Sequence, residues 1–337
     1  MGMDWVRHVA LVGCGLALAC GSVDEPAGDG GGSEGSTGSA TTDETPPGGT
    51  AVAEDDAADT SGGGGEVDTG GSDSSDPSAT DDGTDDTTTG DDPPPIACQP
   101  DPARMVVLGD SIVACAGVGG INSDDCAPRL VHDYLAERFG DVTYENISVG
   151  GAVTTGVSNN QIFNIEVGMP GHVFVMIYIG GNDLAPYIFQ SDEAAINGWE
   201  NTTGPTVATA WEEILAFFDD ETNFPDGVTL LMNTQYNPFD DCTAPPYFVS
   251  QVKIELLHAH NDALTERAAS RPWGFIADQH PVYLGHGHYV NDSNCPHYDA
   301  SFEGYMNDLI HPNGPGHHNL ADVMIEEIET SIYGDCE

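Results

Sequence analysis

A serine and a histidine lie near opposite ends of the last 240 residues, in settings that suit covalent catalysis. Ser111 ends the stretch Gly-Asp-Ser after an apolar run at residues 105–108, and His311 lies three residues after Asp308. A serine hydroxyl is a weak nucleophile, so it needs a base within hydrogen-bond reach and a third group that orients the base. His311 and Asp308 could supply both, because a separation of three residues can hold their side chains on one turn. This pattern predicts a serine hydrolase.

Two further polar stretches follow strand-like runs in the same way. Asn-Ile-Ser-Val-Gly-Gly at residues 146–151 comes after one run, and Gly-Gly-Asn-Asp at residues 180–183 comes after another. In an open parallel α/β sheet the carboxyl ends of the strands share one edge, where ligands bind. The sequence therefore predicts that these stretches meet Ser111 at that edge.

Alternating strand-like and helix-like segments indicate the elements that would position these residues. A βα alternation implies a parallel sheet covered by helices, so we predict an α/β fold, a three-layer α/β/α sandwich with a central parallel sheet. The predicted strands are at residues 104–109, 142–147, 172–179, 227–233 and 274–278, and the predicted helices are near 127–139, 205–218, 250–270 and 315–332.

In order, the four motif blocks resemble those of the SGNH (GDSL-type) esterase and lipase family, over residues of about 104–330. The resemblance implies a flavodoxin-like SGNH hydrolase fold and ester hydrolysis through an acyl-enzyme, without a cofactor. It implies that Ser111 is the nucleophile, His311 the base and Asp308 the group that orients it. The oxyanion would receive hydrogen bonds from Ser111, Gly151 and Asn182. Gly151 is preferred over Gly150 because the family places this glycine five residues after an asparagine.

Two aspartates flank the reacting groups. Asp110 precedes the nucleophile and Asp183 follows the amide donor. Short acidic side chains at such positions often accept hydrogen bonds from nearby backbone N–H groups in Asx turns. We expect Asp110 and Asp183 to support their loops in this way.

Loops at residues 234–247 and 280–304 fall where a substrate would enter, and they are rich in Tyr, Asn, His and Asp. Such loops favour short-acyl or acetylated carbohydrate esters. A lipase or phospholipase acting on longer acyl chains is the alternative within enzymes. A non-catalytic surface lipoprotein that binds a glycan or a protein is the alternative from another class, because fold does not fix function.

The N-terminus has the pattern of an export signal. Residues 1–20 carry Arg7, an apolar stretch and Leu-Ala-Leu-Ala-Cys, which resembles a bacterial lipobox with Cys20 as the lipidated residue. Cys14 is a rival site, and an ordinary secretory peptide is the alternative. We expect an exported cell-surface or outer-membrane lipoprotein, attached to a membrane only through its lipidated N-terminus, or else a secreted protein.

Composition divides the remainder into an acidic linker at residues 21–96 and a hydrolase domain at 97–337. The linker is rich in Gly, Ser, Thr and Asp with few large apolar residues, which predicts disorder. Residues 98–337 contain 35 acidic and six basic residues, a net charge of about −29. A charge of this sign makes nucleic-acid binding improbable. We expect a monomer that binds a small-molecule or glycan ester.

The domain has six cysteines, an even number that agrees with export. Sequence does not choose among their 15 pairings, and our guesses are Cys115 with Cys126, Cys242 with Cys295, and Cys98 with Cys336. His286 and His288, near His280 and His297, raise a zinc hypothesis. No cysteine pair has zinc-ligand spacing, so we favour local hydrogen bonds for these histidines and expect no metal site.

Overall fold

The computed structural model describes residues 98–243 and 249–334. Its centre is a five-stranded sheet in which every neighbouring pair is parallel, with the order β2-β1-β3-β4-β5. The order changes direction between β1 and β3, and the crevice at such a switch point is the usual ligand site of this topology. The strands are β1 (Pro102–Gly109), β2 (Thr143–Asn146), β3 (His172–Tyr178), β4 (Val228–Asn233) and β5 (Gly274–Ala277).

Helices of seven residues or more cover both faces of the sheet. They are α1 (Ala127–Phe139), α2 (Asp192–Gly198), α3 (Gly204–Asp219), α4 (Gln251–Ala269) and α5 (Gly314–Glu327). Shorter helical turns lie at Thr154–Gly156, Val157–Gln161, Ile162–Asn164, Gly181–Leu184, Ala185–Tyr187, Trp199–Thr203, His280–Tyr283 and Ile328–Ile332.

Alternate residues of the central strands point to opposite faces and build two cores. Met105 and Met176 pack towards α1 and α5, where Leu135 and Leu320 are fully buried. Val106, Val175 and Leu230 pack on the other face, against α3, α4 and the turns at residues 157–165. The predicted three-layer α/β/α architecture is confirmed.

The predicted strands and long helices all occur, with small differences at their ends. The helix at 127–139 has the predicted bounds, while β1 begins two residues earlier, at Pro102. None of the helices in residues 98–243 and 249–334 is long and apolar enough to cross a membrane. The predicted signal at residues 1–20, with Cys20, and the predicted linker at 21–96 lie outside the described residues and stay predictions.

Two of the predicted disulfides are present. Cys115–Cys126 closes the loop that follows β1, and Cys242–Cys295 joins the loop after β4 to the long loop after β5. Cys98 is also disulfide-bonded. Its predicted partner, Cys336, lies outside the described residues.

Candidate active site

The end of β1 sets the position of Ser111. Gly109 has a φ of +141°, and a Cβ there would lie 2.1 Å from the carbonyl oxygen of Tyr178 on β3, so only glycine fits. The next residue, Asp110, donates its backbone N–H to the same carbonyl oxygen at 3.2 Å. Its side chain accepts the backbone N–H of Ile112 at 2.9 Å, as an Asx turn requires. Ser111 is therefore held at a sharp turn where the chain leaves the sheet.

Asp110 is a buried carboxyl group, with 2% of its surface exposed. Burial raises its pKa to about 7, although the hydrogen bond from Ile112 acts in the opposite direction. The nearby carboxyl of Asp183 adds to the increase. A substantial share of the molecules thus carries a neutral Asp110 at neutral pH.

His311 and Asp308 lie on a tight loop just before α5. An isolated β-bridge between Met306 and Pro312 closes this loop, and the backbone N–H of Asn307 donates to the carbonyl of His311 at 2.8 Å. The Asp308 carboxylate accepts the backbone N–H groups of Ile310 and His311 at 3.0 and 2.9 Å. These two backbone hydrogen bonds therefore hold the Asp308 carboxylate in place independently of the His311 side chain.

The three side chains form a continuous relay. Nδ1 of His311 lies 2.8 Å from Oδ2 of Asp308, and its Nε2 lies 2.9 Å from Oγ of Ser111. Partial burial would raise the pKa of Asp308, but the hydrogen bonds from the His311 side chain and the two backbone N–H groups outweigh it and lower the pKa. An ionised Asp308 favours the tautomer with a proton on Nδ1, which leaves Nε2 free to accept the serine proton.

The loop after β2 packs against the ends of β1 and β3. Val149 donates its backbone N–H to the carbonyl of Gly109 at 3.0 Å, and the Asn182 amide donates to the carbonyl of Ala152 at 2.9 Å. One amide hydrogen of Asn182 is thus committed to this loop. Gly151, next to Ala152, has a φ of +77° and open space at its Cα. The structure therefore brings Gly151, Asn182 and Ser111 to one edge of the sheet.

Asp183 reinforces the same junction in a way that the sequence did not predict. Its carboxylate accepts both the backbone N–H and the hydroxyl of Thr154, each at 2.9 Å. Asp183 therefore supports its loop, as expected, but mainly through a residue 29 positions away rather than through an Asx turn. Burial raises its pKa and the Thr154 hydrogen bonds oppose the increase.

His260 is a residue near the site that sequence reasoning missed. It is 3% exposed, and a Cβ on Gly180 would lie 2.2 Å from its Nε2. Burial lowers its pKa to about 4, so the ring is neutral. His260 on α4 thus supports the Gly-Gly turn that carries Asn182, and only a glycine at 180 leaves room for it.

An apolar groove opens beside Ser111 and Asn182, with an empty volume of about 850 Å³ that includes open solvent. Its walls come from the turns after β3, the loop after β4 and the first half of α4. The apolar lining residues are Ile112, Leu184, Ala185, Tyr187, Ile188, Tyr236, Pro238, Phe239, Val249, Leu256, Leu257 and Ile310. We refer to this feature below as the apolar groove.

A buried aspartate fixes one wall of the apolar groove. Asp240 is 1% exposed and accepts the backbone N–H groups of Gly285, Gly287 and Tyr289 at 2.6–3.0 Å. Burial raises its pKa, and the three backbone hydrogen bonds oppose the increase. Together with Cys242–Cys295, this carboxyl group binds the loop after β4 to the loop after β5.

The histidines of the long loop after β5 form local hydrogen bonds. Nδ1 of His286 lies 2.7 Å from the carbonyl oxygen of Glu303, and Nε2 of His288 lies 3.0 Å from that of Leu309. His280 is separate from them and lies beside Asp241 and His258, the group of possible metal ligands found among the described residues. The local hydrogen bonds that the sequence favoured for His286 and His288 are therefore present, and His280 belongs to a different cluster.

Residues 107–318 match the model of the GDSL-like lipase/acylhydrolase family, which is more than half of the chain. No curated protein matches the chain.

Solved structures with a similar fold include an extracellular lipase from Streptomyces rimosus, at 18% identity and a TM-score of 0.46, over 67% of this chain and 99% of that one. A phospholipase A1 from Streptomyces albidoflavus has 18% identity and a TM-score of 0.43, with the same coverage of both chains. A psychrotrophic esterase from Pseudoalteromonas has 14% identity and a TM-score of 0.39, over 67% and 97%. Identities this low say nothing about the substrate of this chain.

Proposed function

The chain belongs to the GDSL-like lipase/acylhydrolase family and is an ester-hydrolysing enzyme, and we propose that it acts through an acyl-enzyme on Ser111. The observation that supports this most directly is the relay from Asp308 through His311 to the Ser111 hydroxyl, with contacts of 2.8 and 2.9 Å. These are the distances at which a base can take a proton from a nucleophile.

In the proposed reaction, Nε2 of His311 removes the hydroxyl proton as Oγ of Ser111 attacks the ester carbonyl. The oxyanion accepts hydrogen bonds from the backbone N–H groups of Ser111 and Gly151 and from the Asn182 amide. His311 then gives its proton to the leaving alkoxide, and water repeats the sequence to release the acid. Asp308 stabilises the imidazolium that forms in both halves.

The apolar groove supports an acyl chain longer than acetyl as the preferred substrate. The groove is lined by Ser111 and by twelve apolar residues. An alkyl chain that moves from water into this groove is stabilised by about 0.8 kcal/mol for each buried CH₂. The polar loops suggested short-acyl or acetylated carbohydrate esters, but the groove favours the longer-acyl alternative. We propose esters of medium-length acyl chains, with no cofactor required.

Acyl-length selectivity tests this proposal. Hydrolysis of p-nitrophenyl acetate, butyrate and octanoate should show kcat/KM rising with chain length, by up to about fourfold for each CH₂. Ser111→Ala should abolish hydrolysis and labelling by a fluorophosphonate, whereas Ser123→Ala in the same loop should change neither. Activity on acetate that falls steadily with length would return the assignment to acetylated substrates.

A second pair of variants tests whether the groove is responsible. Leu256→Trp on α4 should lower kcat/KM for octanoate and leave acetate unchanged, because indole would fill the groove away from Ser111. Glu255→Trp, on the exposed side of the same helix, is the matched control. Equal losses on acetate and octanoate in Leu256→Trp would count against the groove as the acyl site.

We also propose that the enzyme works outside the cytoplasm. Disulfides such as Cys115–Cys126 and Cys242–Cys295 persist in oxidising compartments. Export through residues 1–20 with lipidation of Cys20 accounts for this location. Labelling with radioactive palmitate in a bacterial host should be lost in Cys20→Ser and kept in Cys14→Ser.

A further inference from the structure

Asp241, His258 and His280 come from three different elements and aim their ligand atoms at one point. Asp241 is in the loop after β4, His258 is on α4 and His280 begins the short turn after β5. One ligand atom from each of the three residues lies within 4.8 Å of the other two. We propose that this cluster is a binding site for a divalent transition-metal ion, with Zn²⁺ as its best fit.

Both histidines lie at hydrogen-bond distance from Asp241, and the lengths of these contacts also suit a metal ion. Oδ2 of Asp241 lies 3.2 Å from Nε2 of His258 and 3.3 Å from Nε2 of His280. A charge-assisted hydrogen bond is usually 2.7–2.9 Å long. Ligands about 2.05 Å from a tetrahedral zinc ion are separated by about 3.3 Å. These two distances between ligand atoms therefore match the spacing of ligands around zinc.

The Asp241 carboxylate is held in place by a hydrogen bond beside the two histidines. Its Oδ1 accepts the amide of Asn237 at 2.6 Å and also lies 3.3 Å from Nε2 of His280, while its Oδ2 lies within 3.3 Å of both imidazoles. Hydrogen-bonded partners of this kind orient the ligands in known metal sites. The two imidazole nitrogens lie within 4.8 Å of each other. They would reach the spacing of about 3.3 Å in a tetrahedral zinc site after a movement of at most about 1.5 Å.

The backbone conformation at residues 240 and 241 also positions the Asp241 carboxylate. Asp240 and Asp241 have φ values of +55° and +50°, an uncommon pair of left-handed residues. This conformation directs the Asp240 carboxylate to the backbone N–H groups at 285–289 and the Asp241 carboxylate to the histidines. The His258 side chain is 45% exposed, against 12% and 13% for Asp241 and His280. An ion therefore has a route from solvent on the His258 side.

The ion would have a structural role. The loop after β4 and α4 both contribute walls to the apolar groove, and the cluster joins them through Asp241 and His258. Neither histidine contacts the relay of Ser111, His311 and Asp308 in the described structure. Metal binding should therefore be measurable without any assay of hydrolysis.

Calorimetric titration of the chelator-treated full chain with ZnCl₂ tests the proposal. We expect the wild type to bind one equivalent of zinc. His258→Asn and His280→Asn should each abolish this binding or weaken its affinity at least about 100-fold. His318→Asn removes an exposed histidine that pairs with Asp125 at 3.0 Å, and it should leave that equivalent intact. Zinc at 100 times its Kd should raise Tm by about 5–10 °C.

Cobalt gives an independent reading of the coordination. Co²⁺ bound to the wild type should show the strong visible absorption of a tetrahedral site, and this should be lost in His258→Asn. A zinc equivalent that survives in both histidine variants would overturn the proposal. The absence of any zinc effect on Tm would also overturn it. So would a decrease of Tm in His258→Asn that is the same with and without zinc, because either result would mean that the cluster contributes only direct contacts between its side chains.

Discussion

Replacing Asp110 with asparagine should stabilise the protein at alkaline pH. Burial raises the pKa of this carboxyl from an ordinary 3.8 to about 7. Between these values the folded state holds a proton that the unfolded chain has released, so stability falls as pH rises through this interval. By linkage the ionised form costs roughly 4 kcal/mol well above pH 7, and about 2–3 kcal/mol of this cost accumulates between pH 5 and pH 8.

Asparagine removes this cost with little change in shape. Asparagine is uncharged, and its side-chain oxygen can still accept the backbone N–H of Ile112. In the wild type this N–H lies 2.9 Å from the Asp110 carboxylate. Urea unfolding of the wild type and Asp110→Asn at pH 5, 6, 7 and 8 gives the difference in free energy of unfolding at each pH. The contributions of acidic groups that do not interact with Asp110 cancel in that difference.

We expect the difference to grow by about 2–3 kcal/mol in favour of Asp110→Asn from pH 5 to pH 8, equivalent to roughly 5–10 °C in Tm. Asp124→Asn, an exposed acid in the loop that follows Ser111, is the control and should give a flat difference. A flat difference for Asp110→Asn as well would refute the reasoning, because it would mean that Asp110 titrates at the same pH in both states.

Three other substitutions separate the roles proposed at the site. Asn182→Ala should keep the fold and lower kcat by about 10²–10³, the usual cost of one oxyanion donor; an unchanged kcat would remove Asn182 from the mechanism. Asp308→Asn should cost roughly 10–100-fold, less than the about 10⁴ known for a buried triad aspartate, because the Asp308 side chain is 52% exposed; a loss as large as that of Ser111→Ala would contradict this. Thr154→Val removes one of two hydrogen bonds to Asp183 and should lower the free energy of unfolding by about 1–2 kcal/mol, measured by urea unfolding.

The sequence predicted the sheet and the long helices because both carry strong periodic patterns. Residues 127–139 alternate apolar and polar positions at helical spacing, and α1 has those bounds. The turns at residues 154–164 and 199–203 were missed, since they include short π and 3₁₀ segments rich in Asn and Thr. Their conformation depends on packing against α3 and the sheet, which no local pattern records.

The site was predictable as motifs, but its surroundings were not. Ser111, Asn182 and His311 each follow a strand or precede a helix with a readable pattern. The apolar groove draws its walls from separate segments, and residues such as Leu184 and Leu257 look like ordinary core positions in sequence. His258 lies in the middle of α4, and only tertiary packing brings it to Asp241 and His280.

The relay joins two parts of the molecule that should open at different rates. Ser111 follows β1, an interior strand of the sheet, whose amides should exchange with solvent only when the whole domain unfolds. His311 sits on a loop closed by one isolated bridge, with Asp308 half-exposed, where brief local opening is enough for exchange. Heating should therefore separate base from nucleophile, and so stop turnover, at temperatures where the sheet is still protected from exchange. The temperature at which activity is lost would then depend on the loop at residues 307–311, which the Met306–Pro312 bridge closes. The temperature at which the domain unfolds would depend on the core.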